Sequence, residues 1–329
     1  MEMDRSGALL EVEGLHVRYK TKSAEVYALN GLDLRVERGE KLGLVGETGA
    51  GKTTLALSIL RLLPERVGEI PAGSIRYEGE QLLEQSEAYM LGLRGRRISM
   101  IFQDPMTSLN PIKTVGEQIL EVLDLHFPGL SKAEKLGRVA RMLETVGIPA
   151  SRGGDFPYQF SGGMKQRIVI AMALIGEPEL LLADEPTTAL DVTIQAQILE
   201  MMSRLREEYG TAVILITHDL GVVAEFCDRV AVVYGGRIVE QGSVEQVFAR
   251  GMNHPYTEGL LGCIPELDSR AERLTPIPGQ MADPTVQPKG CSFAERCGRC
   301  MEICRTRQPE PFESEGHSIM CHLYGPGEV

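Results

Sequence analysis

Glycine, lysine and threonine at a fixed spacing mark the first candidate site. The stretch GETGAGKT at residues 46–53 follows a short apolar run and precedes an amphipathic helical pattern. This is G-x-x-x-x-G-K-[ST] in a strand–loop–helix context, where glycines let backbone N–H groups turn toward a phosphate at a helix N-terminus. We expect Lys52 to reach the β- and γ-phosphates and the Thr53 hydroxyl to ligate Mg²⁺. The predicted nucleotide contacts are Gly46, Glu47, Thr48, Gly49, Ala50, Gly51, Lys52, Thr53 and Thr54.

Two adjacent carboxylates end a second apolar run. The stretch ELLLADEP at residues 179–186 has the form of a buried strand that finishes on Asp184 and Glu185. Because α/β sheets bind ligands at the C-terminal ends of parallel strands, Asp184 is the expected second Mg²⁺ ligand. Glu185 points elsewhere and suits a base that polarises an attacking water. The alternative is a strand end with two solvated acids.

A pair of glycines opens a predicted helix in FSGGMKQR, residues 160–167. Glycine in a helix costs about 0.5–1 kcal/mol relative to alanine, so two of them at one helix start need a reason. The exposed N–H groups and the dipole of a helix N-terminus favour an anion. We therefore expect Ser161, Gly162 and Gly163 to face a negatively charged group, and a role of Ser161 as helix cap is compatible with this.

Five of the seven cysteines lie near the C-terminus, at positions 291, 297, 300, 304 and 321. In a reducing compartment such a cluster predicts metal or cluster ligation before disulfides. Four thiolates could hold a 4Fe–4S cluster or a tetrahedral Zn²⁺, and the spacing alone does not decide between the two. A disulfide staple is the third alternative.

Composition limits the classes of function. The 46 acidic residues outnumber the 34 Lys and Arg, which gives a formal charge of −12 and argues against a general nucleic-acid coat. The sequence contains no apolar run of the roughly 18 residues that suggest a membrane span. The N-terminus lacks the basic and apolar segments of a secretory signal, so we expect a cytoplasmic location.

The motifs, taken in order over about residues 8–250, resemble the nucleotide-binding subunits of ABC transporters. The resemblance implies that Tyr19 stacks on adenine, that Gln103 senses the γ-phosphate and Mg²⁺, and that His218 contacts the γ-phosphate. It also implies that Ser161, Gly162 and Gly163 cap the γ-phosphate of ATP bound to the opposite subunit. The motifs that carry it are Tyr19, the stretch at 46–53, IFQDP with Gln103, FSGGMKQR, LLLADEP, ALD at 189–191 and ITHD with His218.

The C-terminal part resembles that of oligopeptide and dipeptide importer ATPases, through NHPYTEGLLGCIPEL at 253–267 and the cysteine positions. The resemblance implies a sister ABC ATPase, two permease subunits and, indirectly, an extracytoplasmic peptide-binding protein. It places the chain peripherally at the cytoplasmic face of the membrane, with no nucleic-acid partner. It favours a structural 4Fe–4S cluster, with zinc second and the role of Cys300 open, on Cys291, Cys297, Cys304 and Cys321.

The predicted fold is an α/β P-loop NTPase core over residues 1–250, with a helical subdomain inserted at about residues 104–176. A small cysteine-rich C-terminal extension follows at residues 251–329. The predicted function is hydrolysis of ATP, with Mg²⁺, to energise a peptide importer. The alternatives are the same role for nickel or other metal chelates or for antimicrobial peptides, and a soluble ABC ATPase acting on DNA or ribosomes. The acidic charge disfavours the last of these.

Overall fold

The structure is a computed structural model that describes residues 7–22, 24–104, 108–188, 190–249, 251–263 and 276–325. The chain divides into two compact units. The first is made of Met1–Val36, Lys41–Leu83 and Ile216–Val329, and the second of Glu37–Glu40 and Glu84–Leu215. Residues 105, 189 and 264–267, which belong to three of the motifs above, lie outside the described residues.

The secondary structure alternates between short strands and helices. The strands are β1 Leu10–Lys20, β2 Glu25–Val36, β3 Lys41–Val45, β4 Gly68–Tyr77, β5 Glu80–Gln81, β6 Ile98–Ile101, β7 Leu180–Asp184, β8 Ala212–Thr217, β9 Arg229–Tyr234, β10 Arg237–Ser243, β11 Phe312–Ser314 and β12 His317–Ile319. The α-helices are α1 Lys52–Ile59, α2 Glu87–Leu93, α3 Val115–His126, α4 Lys132–Thr145, α5 Gly162–Leu174, α6 Val192–Tyr209, α7 Leu220–Phe226, α8 Val244–Phe248, α9 Pro255–Gly262 and α10 Glu302–Thr306.

The first unit contains an antiparallel sheet in the order β2-β1-β4-β5. The central strand β1 pairs Leu10 with Val36 on one side and with Tyr77 on the other. Burial along β1 is highest at Leu10, Leu15 and Val17, which places apolar side chains in the core. The strand lies between two neighbours, so its hydrogen-bonding edges are both covered.

A second sheet in the first unit carries the phosphate-binding stretch. Here β3 runs parallel to β9, with Val45 opposite Val232. Because parallel strands end at the same edge, the residues that follow β3 and β9 lie close together. Strand β9 pairs antiparallel with β10 through a hairpin at Gly235-Gly236, where both glycines have positive φ.

The C-terminal residues are attached to this sheet through a buried carboxylate. Strand β12 pairs with β10, Glu240 opposite Ile319. The Glu240 carboxylate, 1% exposed as a residue, accepts hydrogen bonds from Asn253 Nδ2 at 2.9 Å and from the His254 backbone N–H at 2.8 Å. His317 Nε2 lies 2.8 Å from the same group. Since a buried charge needs partners, Glu240 holds the turn before α9 and the β12 hairpin to one strand.

In the second unit, β6 pairs parallel with β7, and the helices α3, α4 and α5 lie between these strands in sequence. Helices α3 and α4 each begin with a capping box, Thr114 with Glu117 and Ser131 with Glu134. These reciprocal hydrogen bonds satisfy backbone N–H groups that no helix can satisfy internally. Helix α6 ends at Gly210, whose φ of 65° is the left-handed conformation in which glycine commonly ends helices.

Among the residues that the structure describes, no helix is both long enough and apolar enough to cross a membrane.

Candidate functional site

The loop between β3 and α1 can be built only with glycine at two positions. Gly46 has φ of 152°, and a Cβ there would lie 2.2 Å from the Val233 carbonyl oxygen. Gly51 caps α1 with φ of 108°, and its Cβ would lie 2.6 Å from the Ala28 carbonyl oxygen. Both positions therefore require the conformational freedom of glycine and the absence of a side chain.

The Lys52 ammonium is buried within this loop. The residue is 7% exposed, and its Nζ donates to the Gly46 and Glu47 carbonyl oxygens at 2.7 and 3.0 Å. The first turn of α1 carries no acidic residue. A lysine at a helix N-terminus without a neighbouring carboxylate in that turn gives a site that favours a phosphate.

Tyr19 lies beside the phosphate-binding loop. Its hydroxyl is 3.2 Å from Thr54 Oγ1, although the two residues are on β1 and α1. The structure thus brings together the predicted adenine contact and the end of the predicted phosphate contacts. Stacking of Tyr19 on a base remains a prediction.

Glu47 is held by two residues that sequence reasoning missed. Its backbone N–H donates to Tyr256 Oη at 2.9 Å, and its carboxylate accepts from Arg296 Nη1 and Nη2 at 2.6 and 3.0 Å. The hydrogen bond to Glu47 raises the pKa of Arg296, and burial raises the pKa of Tyr256. The partners are 209 and 249 positions away in sequence, so no local pattern could pair them.

In the second unit, two predicted catalytic residues meet. Gln103 Nε2 donates to Glu185 Oε2 at 3.0 Å, and Thr188 Oγ1 donates to the same oxygen at 2.9 Å. Glu185 follows β7 with φ of 47°, a strained value for a residue with a side chain. Such strain costs on the order of 1–3 kcal/mol and clusters at functional sites. Asp184, at the end of the strand, is 2% exposed.

The two glycines that open α5 have different surroundings. Ser161 is the N-cap, and its hydroxyl accepts the Met164 N–H at 3.4 Å. A Cβ on Gly162 would meet nothing within 4 Å, whereas one on Gly163 would lie 2.9 Å from Ile194 Cγ2. Packing against Ile194 is therefore sufficient to explain Gly163, and the open face belongs to Gly162.

His218 follows β8 and is exposed, at the position that the sequence predicted. The next residue, Asp219, caps α7 by accepting hydrogen bonds from the Gly221 and Val222 N–H groups. This cap fixes the backbone that carries His218. Its contact with a γ-phosphate remains a prediction.

Two of the four predicted cysteine ligands are joined through their backbones, since the Cys291 N–H donates to the Cys304 carbonyl oxygen at 2.7 Å. Burial, and then the thiols of Cys304, Cys321 and Cys297, raise the pKa of Cys291 to about 11. The thiols of Cys291, Cys297 and Cys321 each interact with the backbone N–H group two residues further along the chain, those of Phe293, Arg299 and Leu323. Within the described residues, no group of three or more His, Cys, Asp or Glu side chains is arranged to hold a metal ion. The predicted metal centre is therefore not shown.

Comparison with known proteins gives consistent matches. Residues 29–188 match the ABC transporter family, and residues 239–304 match the oligopeptide/dipeptide transporter, C-terminal region. The chain is 49% identical over 328 residues to the oligopeptide transport ATP-binding protein OppD of Bacillus subtilis (strain 168), covering 98% of this chain and 91% of the relative. It is 48% identical over 318 residues to the dipeptide transport ATP-binding protein DppD of the same strain, covering 96% and 94%.

A solved structure extends the comparison to the fold. It is the dimeric, post-hydrolysis state of the ATP-binding cassette MJ0796 bound to ADP and Pi. The TM-score is 0.65 at 27% identity, and the match covers 74% of this chain and 100% of that one.

Proposed function

Because the chain belongs to the ABC transporter family, among the ATP-binding proteins of oligopeptide and dipeptide transporters, we propose that it hydrolyses ATP to energise peptide import through membrane permeases. The observation that carries the choice of cargo is the match of residues 239–304 to the C-terminal region of peptide transporters. The P-loop geometry supports the enzymatic part, since the loop and Lys52 form a phosphate site at the N-terminus of α1.

ATP binding is assigned to the loop and the residues beside it. The backbone N–H groups of the loop surround the phosphates, except those of Glu47 and Ala50, which donate to Tyr256 and Glu47. Lys52 compensates the charge on the β- and γ-phosphates. Tyr19 stacks on the adenine. Thr53 and Asp184 supply oxygen ligands of the kind that Mg²⁺ prefers, and the ion, when bound, neutralises charge that develops on the phosphates.

Hydrolysis is assigned to Glu185 as general base, and Gln103 and His218 are assigned to contacts with the γ-phosphate. Glu185 takes a proton from the attacking water, as a general base next to the Mg²⁺ ligand. The hydrogen bonds from Gln103 and Thr188 orient its carboxylate. Gln103 and His218 then contact the γ-phosphate and hold the water in line.

The second phosphate contact belongs to a partner. Ser161, Gly162 and Gly163 cap the γ-phosphate of ATP bound by a sister ATPase, and this chain's ATP is capped in return. The open face of Gly162 and the similarity to a dimeric cassette support this assignment. Two permeases complete the assembly, which this chain joins at the cytoplasmic face of the membrane. An extracytoplasmic peptide-binding protein delivers peptides to the permeases. Exposed Ile112 and Tyr158, in the helical part, supply apolar surface for a permease contact.

A structural 4Fe–4S cluster remains part of the proposal. The proposed ligands are Cys291, Cys297, Cys304 and Cys321, and the role of Cys300 stays open. Four thiolates can ligate such a cluster, and zinc is the second choice. Protein purified anaerobically should be brown and release acid-labile sulfide. Colourless protein that carries zinc would contradict the cluster.

The function is tested by tagging this chain, solubilising the membranes of its source cell gently, and identifying the proteins that co-purify. We expect two permeases and a second ATPase, and peptide-stimulated ATP hydrolysis by the assembly. Stimulation of ATP hydrolysis by a nickel chelate, and not by peptides, would mean that the transporter carries metal chelates. Recovery with ribosomes or DNA would overturn the transport role.

A further inference from the structure

The second residue of the phosphate-binding loop, Glu47, is tied at each of its polar groups. Its N–H donates to Tyr256, its carbonyl oxygen accepts from Lys52, and both carboxylate oxygens accept from Arg296. A paired, charge-assisted contact of this kind fixes orientation as well as position. Two of these partners, Tyr256 and Arg296, come from the C-terminal part of the chain, whereas Lys52 belongs to the loop region itself.

Arg296 is itself held firmly. Its side chain is 5% exposed, and Nε donates to the Pro278 carbonyl oxygen at 2.9 Å. It lies 5.7 Å from the Tyr234 ring centroid and 5.9 Å from that of Phe293. A guanidinium enclosed on these sides has few alternative positions, so it holds Glu47 in one place.

The ring of Tyr256 is equally fixed. Its centroid is 4.6 Å from that of Tyr234 and 5.4 Å from that of Phe293. Tyr234 ends β9, the parallel neighbour of the strand that leads into the loop. The aromatic cluster of Tyr234, Tyr256 and Phe293 thus joins the C-terminal segment to the edge of the sheet where the loop begins.

A third contact of the C-terminal segment lies at the tip of the loop. A Cβ on Gly49 would be 3.3 Å from Met281 Cε. The Tyr27 N–H also donates to the Pro284 carbonyl oxygen at 2.8 Å, which attaches this part of the segment to β2. The segment therefore follows the loop from Glu47 to Gly49.

We propose that Arg296 and Tyr256 are positioning residues for ATP binding, which hold Glu47 so that the loop is preformed to receive phosphates. Neither side chain needs to contact ATP. Hydrogen-bond donors that are fixed in advance bind an anion without an ordering cost at the moment of binding. Loss of the contacts that Arg296 and Tyr256 make with Glu47, which we call the clamp, therefore weakens ATP binding and leaves the rate of hydrolysis unchanged. The inference rests on the ATP-binding role proposed above.

The test measures ATP affinity of the full chain by calorimetry, and KM and kcat of the assembled transporter. Arg296→Ala should weaken ATP binding at least tenfold and raise KM similarly, while kcat at saturating ATP stays within twofold. Arg296→Lys, which keeps the charge, should recover part of the affinity. Tyr256→Phe, which removes only the hydroxyl, should cost less than Arg296→Ala.

A double-mutant cycle separates the clamp from general loosening of the C-terminal segment. Glu47→Ala with Arg296→Ala should be no worse than either single change, because both remove one interaction. The matched control is Arg299→Ala, which breaks the nearby pair with Glu258 off the loop, and ATP affinity should not change.

Three results would overturn the clamp. They are unchanged affinity in folded Arg296→Ala, additive losses in the cycle, and an equal loss in Arg299→Ala. Absence of ATP binding by the wild-type chain would instead overturn the proposed function, so the two failures can be told apart.

Discussion

Two helices of this chain have glycine at their N-terminal end, at the N-cap of α1 and at the first residue of α5, and their surroundings differ. At the start of α1, Gly51 lies against the backbone of Ala28, and Lys52 is buried among carbonyl oxygens of its own loop. At the start of α5, Ser161 and Gly162 are exposed, and Gly162 faces open space. The first helix start is enclosed by this chain, whereas the second offers its N–H groups outward. The difference fits a site that one chain holds and a partner chain completes.

The largest effect is expected at the enclosed helix. Lys52→Ala removes charge-assisted hydrogen bonds to phosphate and should weaken ATP binding by the full chain about 100-fold. Lys132→Ala, which removes a lysine at the start of α4, is the matched control and should bind ATP normally. Equal affinity of the wild type and Lys52→Ala would contradict the assignment of the loop.

The outward-facing helix should behave in the opposite way. Gly162→Val should leave the stability and ATP affinity of the chain unchanged, because a Cβ at Gly162 meets no other atom. The added side chain should block a partner's phosphate and lower ATP turnover of the assembled transporter at least tenfold. Gly92→Val, at another open helical glycine, should affect neither quantity. Loss of ATP affinity in the isolated Gly162→Val chain would remove the contrast between the two helices.

Gly163 provides a smaller effect, on the stability of the folded chain. Gly163→Ala forces a Cβ against Ile194 and should destabilise the protein by about 1–3 kcal/mol, the usual cost of overpacking. Thermal unfolding measures this cost. Adding Ile194→Ala should return much of the loss, since it removes the Cγ2 atom that clashes. A Gly163→Ala variant as stable as the wild type would show that the Ile194 side chain moves away from the added Cβ at no cost.

The smallest effect concerns the pH dependence of the C-terminal attachment. Burial, and then the Arg299 charge, lower the pKa of His254 from 6.5 to about 3. The unfolded chain therefore binds a proton that the folded chain refuses, so stability falls as pH drops below about 6.5. His254→Asn keeps an acceptor for the Tyr256 N–H. It removes one group that binds a proton only in the unfolded chain, so the free energy of unfolding should fall less steeply between pH 7 and 5.

The matched control for this slope is His322→Asn, at a less buried histidine. It should retain the wild-type pH dependence. A His254→Asn protein with an unchanged slope would show that this residue does not carry the acid sensitivity.

The sequence predicted the local structure around the candidate site, whereas the roles of its residues stay predictions. The P-loop, the end of β7 and the cap at Ser161 are each encoded within about one turn or strand of their neighbours, where spacing determines geometry. The hold on Glu47 was not predictable in this way. It joins residues 249 positions apart, and it depends on how the C-terminal segment packs against Tyr234. The role of Gly163 was likewise hidden, because Ile194 lies on another helix.

The most direct test of the central claim is ATP hydrolysis by the purified assembly with Glu185→Gln in this chain. The substitution keeps the phosphate and Mg²⁺ contacts but removes the base, so ATP binding should persist. Peptide-stimulated turnover should fall at least about 100-fold, because general-base catalysis contributes a factor of about 10²–10⁴. Unchanged turnover would contradict the claim that this chain hydrolyses the ATP that it binds.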